Sequence, residues 1–127
     1  AFDWHVLIGD ETALPAIARR LEELPAGARA LVVIEVPSAI NQMPLATRAN
    51  ASIRWLARDA GDPSLAEAAA SLQLPQGEGY VWVAAESADA KAVRAVMVGQ
   101  HKIDKSRIRA SSYWKRGADG VHEALED

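Results

Sequence analysis

The chain has 127 residues, a net charge of -3, a pI of about 5.6, half of its residues hydrophobic and about a quarter charged. That length bounds it to a single soluble globular domain (residues 1–127) with a full apolar core, and the acidic balance supplies no basic field for nucleic acid or an anionic membrane. It has no cysteine, which excludes disulfides, thiolate catalysis, iron–sulfur clusters and cysteine-based zinc sites and fits a reducing cytoplasm.

In chain order, DWHVLIG (3–9) reads as a strand ended by glycine. Residues 13–24 place Leu14, Ile17, Leu21 and Leu24 at helical spacing, and Pro25-Ala26-Gly27 stops that helix. RALVVIEV (29–36) is apolar on both faces, as a strand covered by helices on both sides must be; it is also too short, and too charged at Glu35, to span a bilayer. A polar connection follows, then a third strand over 52–58 and an alanine-rich helix over 64–73 opened by Asp62-Pro63-Ser64. YVWVAAE (80–86) is a further buried strand, and 87–101 a helix with Ser87 at the N-cap position. A last strand is predicted near 107–113, and DGVHEALED (119–127) reads as a terminal helix. Alternating strands and helices with short crossovers force parallel pairing and right-handed connections. The expected product is a three-layer α/β/α sandwich around a mostly parallel five-stranded sheet.

Parallel strands point their carboxyl ends to one edge, where ligands bind at the topological switch point. The corner IGDETALPAI lies there. Thr12 suits the N-cap of the following helix, Pro15 its first turn, and Gly9 a close backbone approach by a ligand. Free N–H groups at that helix end make an anion site suited to a pyrophosphate. A turn with a good cap explains the same residues. The corner also lacks the full G-x-G-x-x-G fingerprint, and Asp10 and Glu11 repel phosphate unless they turn away or bind ribose hydroxyls.

GDETALPAIARRLEELPAGARALVVIEV, then IRWLAR, LPQGEGYVWVAAES and RIRASSYWKRG, in that order, resemble the C-terminal domain of the siderophore-interacting protein family, from Trp4 to about Gly117. The resemblance implies a ferredoxin-reductase-like NAD(P)H-binding domain. It belongs to a flavin-dependent reductase that passes hydride from NADPH or NADH to FAD and electrons to Fe(III) held by a siderophore. It further implies an N-terminal FAD-binding β-barrel in cis, absent from this chain, so that the isolated domain is expected to be inactive. A cytoplasmic monomer without a membrane span is expected.

On the same resemblance Gly9, Asp10, Glu11, Thr12 and Ala13 form the nucleotide corner. Glu35, at a strand end, is a candidate for the adenosine ribose, and Arg58 for a 2′-phosphate. Ala85, Glu86 and Ser87 are candidates to contact nicotinamide, and Trp114 to lie beside nicotinamide or flavin. Lys102, Lys105, Arg107, Arg109, Lys115 and Arg116 gather six of the 14 basic residues in one stretch. Arg107, Arg109, Lys115 and Arg116 are the candidates to dock an anionic ferric siderophore. Each of these residues also has a plain structural role open to it: core packing for Trp82, Trp4 and Trp55, and a solvated strand or loop for the cations. His5, His101 and His122 lack metal-ligand spacing, and no metal site is expected. Two other functions compete. One is an interaction module that has lost its flavin partner. The other, a phosphoacceptor domain, lacks the required aspartate cluster and lysine.

Overall fold

A computed structural model of the chain describes residues 2–117 and 123–124. The strands are β1 (Trp4–Asp10), β2 (Arg29–Val36), β3 (Asn50–Ala57), β4 (Gly79–Glu86), β5 (Ile108–Trp114) and the two-residue β6 (Glu123–Ala124). The helices are α1 (Leu14–Glu23), α2 (Leu65–Ala70) and α3 (Ser87–Gly99). The sheet order is β3-β2-β1-β4-β5-β6. β1 to β5 pair in parallel, and only β6 is antiparallel, against Ser111 and Ser112. The chain moves outward from β1 to β3 on one side and restarts at β4 on the other. The switch point therefore lies between the carboxyl ends of β1 and β4.

The continuous apolar runs follow from coverage on both faces. Val6, Ile8, Val33, Val81, Val83 and Ala110 point to the face covered by α2 and α3, where Leu65, Ala69, Val93 and Met97 meet them. Leu7, Val32, Ile34, Trp82 and Ala84 point to the opposite face, where Ile17 and Leu21 of α1 are fully buried. Leu14, Ile17, Leu21 and Leu24 thus form one helix stripe against one sheet face, as their spacing requires. Pro15 sits in the first turn of α1, where its missing N–H costs nothing.

Three local expectations are corrected. Residues 123–124, read as part of a terminal helix, pair with the open edge of β5; the rest of 119–127, apart from these two, lies outside the described residues. Thr12 does not cap α1. The Asp10 carboxylate caps a 3-10 turn over Glu11–Ala13, and Ala13, which caps with no side-chain bond, precedes the helix. Ser87 is the first helical residue of α3, whose N-cap is Glu86.

Candidate functional site

The carboxyl ends of β1, β4 and β5 are tied together by Asp10. This carboxylate is only 1% exposed. Its Oδ1 accepts bonds from the Thr12 amide (3.0 Å) and the Thr12 hydroxyl. Its Oδ2 accepts from the Glu86 amide and from the Trp114 indole, both at 2.9 Å. A buried carboxylate costs several kcal/mol unless its lone pairs are filled, roughly four sites in all, and here four donors fill them. The bond to Trp114 spans 104 residues of sequence. It places the first corner and the C-terminal tail on one rim.

Trp114 reaches Asp10 because β5 is irregular at that point. The β4–β5 register runs evenly from Val81–Ile108 to Ala85–Ser112 and then jumps to Glu86–Trp114. Tyr113 is the extra residue. Such a bulge turns the following side chain to a new direction. Trp114 is half-buried, and the Arg116 guanidinium lies 5.7 Å from its ring centroid.

Glu86 closes the neighbouring helix end. Its Oε1 accepts from the amides of Ala88 and Asp89, and its Oε2 from the Arg116 amide. Burial pushes its carboxyl up, but these amides and the Arg116 charge outweigh burial and hold it below the usual glutamate range. The amides that a phosphate would need at the N-terminus of α3 are therefore occupied by the chain's own carboxylate. The N-terminus of α1 has no such side-chain cap.

On the β1–β2–β3 side, Arg58 bridges two acids. Nη2 donates to Glu11 at 2.6 Å and Nη1 to Glu35 at 2.7 Å. The bond to Glu11 raises the guanidinium pKa, with Glu35 adding to it against burial, so Arg58 stays charged. Burial lifts the Glu35 carboxyl above its ordinary value despite the bond and charge of Arg58, and the charges of Asp89 and Asp10 push the same way. The second oxygen of Glu11 is shielded and accepts no bond. Glu11, Glu35 and Arg58 are thus one cluster.

The other predicted residues divide into scaffold and surface. A Cβ on Gly9 would lie 2.7 Å from the Ala84 carbonyl and 2.9 Å from the Ala13 methyl. Gly9 therefore serves the packing of α1 onto β1 and β4, and the close approach is made by the chain itself rather than by a ligand. Ala13 and Ala85 have no exposed surface, and Ser87 is buried as well, so their side chains are shielded from solutes. Thr12 is exposed at the rim.

The basic cluster also separates. Lys115 and Arg116 are exposed at the rim. Arg107 donates to the carbonyl of Gly79, the first residue of β4, and so sits at the amino edge. A strand the length of β5 rises about 20 Å, so Arg107 shares no contact surface with Lys115. Arg109 stands opposite Trp82 in mid-sheet, beside a cleft on the α1 face. Sequence reasoning passed over the other arginines of that cleft, Arg19 and Arg20, which read as the solvated face of a helix. The i, i+2, i+4 spacing of Arg109, Ser111 and Tyr113 was the available sign that β5 presents one polar face there.

The family model described as "Siderophore-interacting protein" matches residues 2–117. The chain is 35% identical to ferric vibriobactin reductase ViuB of Vibrio cholerae over 95% of this chain and 47% of that protein. It is 29% identical to the NADPH-dependent ferric-chelate reductase of Escherichia coli over 89% of this chain and 44% of that protein. A siderophore utilization protein from T. fusca has a similar structure, with TM-score 0.84 and 33% identity over 95% of this chain and 48% of that one. The siderophore-interacting protein SipS from Aeromonas hydrophila gives TM-score 0.79 and 30% identity over 93% of this chain and 48% of that one. The chain thus spans about half the length of the relatives it matches.

Proposed function

Because the chain belongs to the siderophore-interacting protein family, we propose that it is the nicotinamide-nucleotide half of a flavin-dependent ferric-siderophore reductase. Relatives named as ferric reductases support the reaction class. The observation that carries the reading is the Trp114–Asp10 bond, which brings the first corner and the tail together at the switch point.

The residues fit a nucleotide on the α1 side of this rim. The fit is through side chains: Thr12 is exposed and Trp114 offers an aromatic ring held in place by Asp10, whereas the Thr12 and Leu14 amides are already taken by Asp10 and the Glu11 carbonyl and Pro15 has none. They fit a pyrophosphate poorly on the α3 side, where Glu86 fills the helix end. The nucleotide is therefore assigned to the corner of Glu11, Thr12 and Trp114, with the acids Glu11 and Glu35 near ribose hydroxyls.

NAD(P)H, when bound, supplies a hydride to FAD carried by the other half of the protein, and its two electrons reduce two Fe(III) of siderophore substrate to Fe(II). In this division of labour the chain's own residues bind and orient. Asp10 fixes the Trp114 ring, so that the reacting partners meet a preset surface. Arg58 offsets one of the two negative charges of Glu11 and Glu35 and so lowers the repulsion that the rim acids present to phosphate. A 2′-phosphate would have to draw Arg58 away from both carboxylates. Lys115 and Arg116 attract an anionic ferric complex to the same rim by Coulomb forces that weaken with salt. The whole protein is assigned to the cytoplasm as a monomer, with its FAD domain in cis.

Calorimetric titration of the chain with NADPH and NADH tests this reading. Saturable binding of at least one nucleotide is expected, with no ferric-chelate turnover by the chain alone. Failure of both to bind, with circular dichroism showing an intact fold, favours an interaction module that has lost its flavin partner.

A further inference from the structure

We propose that the cleft between α1 and β5 is a second binding site, for a small oxyanion carrying two or more negative charges, held by Arg19, Arg20 and Arg109. The cleft has a volume of about 360 Å³ and is lined by these three arginines together with Glu23, Trp82 and Ser111. α1 is the only helix on this face among the described residues; it packs over β1 and onto Trp82 and Ala84 of β4, and the cleft opens between it and β5.

The charge balance points to an anion. Three guanidinium groups line the cleft against one carboxylate, that of Glu23. At the rim Arg58 is neutralised by two acids, whereas no ion pair joins Arg19, Arg20 or Arg109 to any acid among the described residues. Like charges facing one cleft repel one another, weakly here because Arg19 and Arg109 are exposed, and a ligand of opposite charge relieves that repulsion. Arg20 is also fixed in advance. Its guanidinium lies 4.6 Å from the centroid of the Trp82 ring, and Trp82 is itself held by the edge of Tyr113. An arginine plane already stacked loses little freedom when it takes an oxyanion in two parallel hydrogen bonds. The field of Arg20 is felt beyond the cleft: burial first, and then the Arg20 charge, hold the His5 imidazole below its ordinary value.

The three arginines lie back from the nucleotide rim, while the cleft's lining reaches toward it at Ala16, early in α1, and at Tyr113, next to Trp114. α1 runs back from the rim, and Arg20 stands six residues into it, about 9 Å along the axis. Arg109 is opposite Trp82 in the middle of the sheet. The volume admits a pyrophosphate or a tricarboxylate. Phosphate and carboxylate share the recognition chemistry, and the two arms of the test separate them.

The test is calorimetry on the 127-residue chain at neutral pH and low ionic strength, with inorganic pyrophosphate in one arm and citrate in the other. One-to-one binding of at least one probe is expected, and the arm that binds more tightly names the source. Arg19→Gln and Arg109→Gln should each weaken it roughly tenfold. Lys91→Gln on the α3 surface and the rim variant Lys115→Gln/Arg116→Gln should leave it unchanged, and saturating NADPH should not displace the probe. Absence of binding by both probes overturns the proposal. So does affinity retained in the Arg19→Gln/Arg109→Gln double variant with an unchanged melting temperature, or displacement by NADPH, which would put the anion at the rim. Loss of NADPH binding alone bears on the nucleotide reading and leaves the cleft standing.

Discussion

β1 and β4 begin and end side by side, and the two edges they define are built by opposite means. At the amino edge Trp4 lies against Gly79, and a Cβ there would fall 2.1 Å from the indole. At the carboxyl edge the same strands finish in Asp10 and Glu86, two buried carboxylates whose oxygens accept bonds from amides, an indole and a hydroxyl. The first edge is limited by volume and serves stability. The second is limited by hydrogen bonding and holds residues in fixed directions, which is the property a binding rim needs. Substitutions at the two edges should therefore fail in different ways.

The largest effect is expected at the amino edge. Gly79→Ala forces a methyl into the Trp4 ring and should cost about 3 kcal/mol, the upper end for overpacking, read as a fall in the thermal midpoint. A midpoint near that of the parent would show that Trp4 can move aside. Asp10→Ala comes next. It leaves the Glu86 amide and the Trp114 indole without their acceptor and should cost about 2–3 kcal/mol in urea unfolding, with weaker nucleotide binding in addition. If stability falls while nucleotide affinity is kept, the hub serves the fold alone.

Glu86 sharpens the comparison through pH. Its carboxyl is held below the usual range in the folded chain, so folding favours the ionised form. Its stabilisation is complete above the ordinary glutamate pKa and is lost as pH falls through the lower folded value. Glu86→Gln should therefore flatten the acid limb of stability against pH and lower stability at neutral pH. An unchanged acid limb would place the acid sensitivity elsewhere. The smallest effect is at Arg58. Its removal leaves Glu11 and Glu35 unneutralised, so Arg58→Ala should weaken both nucleotides several-fold by repulsion. A loss confined to NADPH would instead show that the arginine leaves its acids to meet the 2′-phosphate.

The layer order was legible because both faces of each central strand are covered, which writes RALVVIEV and YVWVAAE as unbroken apolar runs. The rim was legible as a place, since strand ends in a parallel sheet share an edge. Its wiring was not. Asp10 and Thr12 are both good capping residues, and the choice between them is made by donors from Glu86 and Trp114, 76 and 104 residues away. Gly9 resembles a ligand-facing glycine in sequence because nothing local announces that Ala84 and Ala13 already fill its space. The basic stretch misled because closeness in sequence is distance along an extended strand: Arg107 and Lys115 end at opposite edges. The tail 119–127 has helical spacing, yet Glu123 and Ala124 pair with the edge of β5, where unpaired backbone groups offer bonds that a short helix cannot match.

The most direct measurement follows the four indole N–H signals of the ¹⁵N-labelled chain during titration with NADPH or NADH. Trp114 should shift in proportion to saturation while Trp4, buried at the far edge, stays in place. A bound nucleotide that leaves the Trp114 signal unmoved would contradict a rim that joins the first corner to the tail.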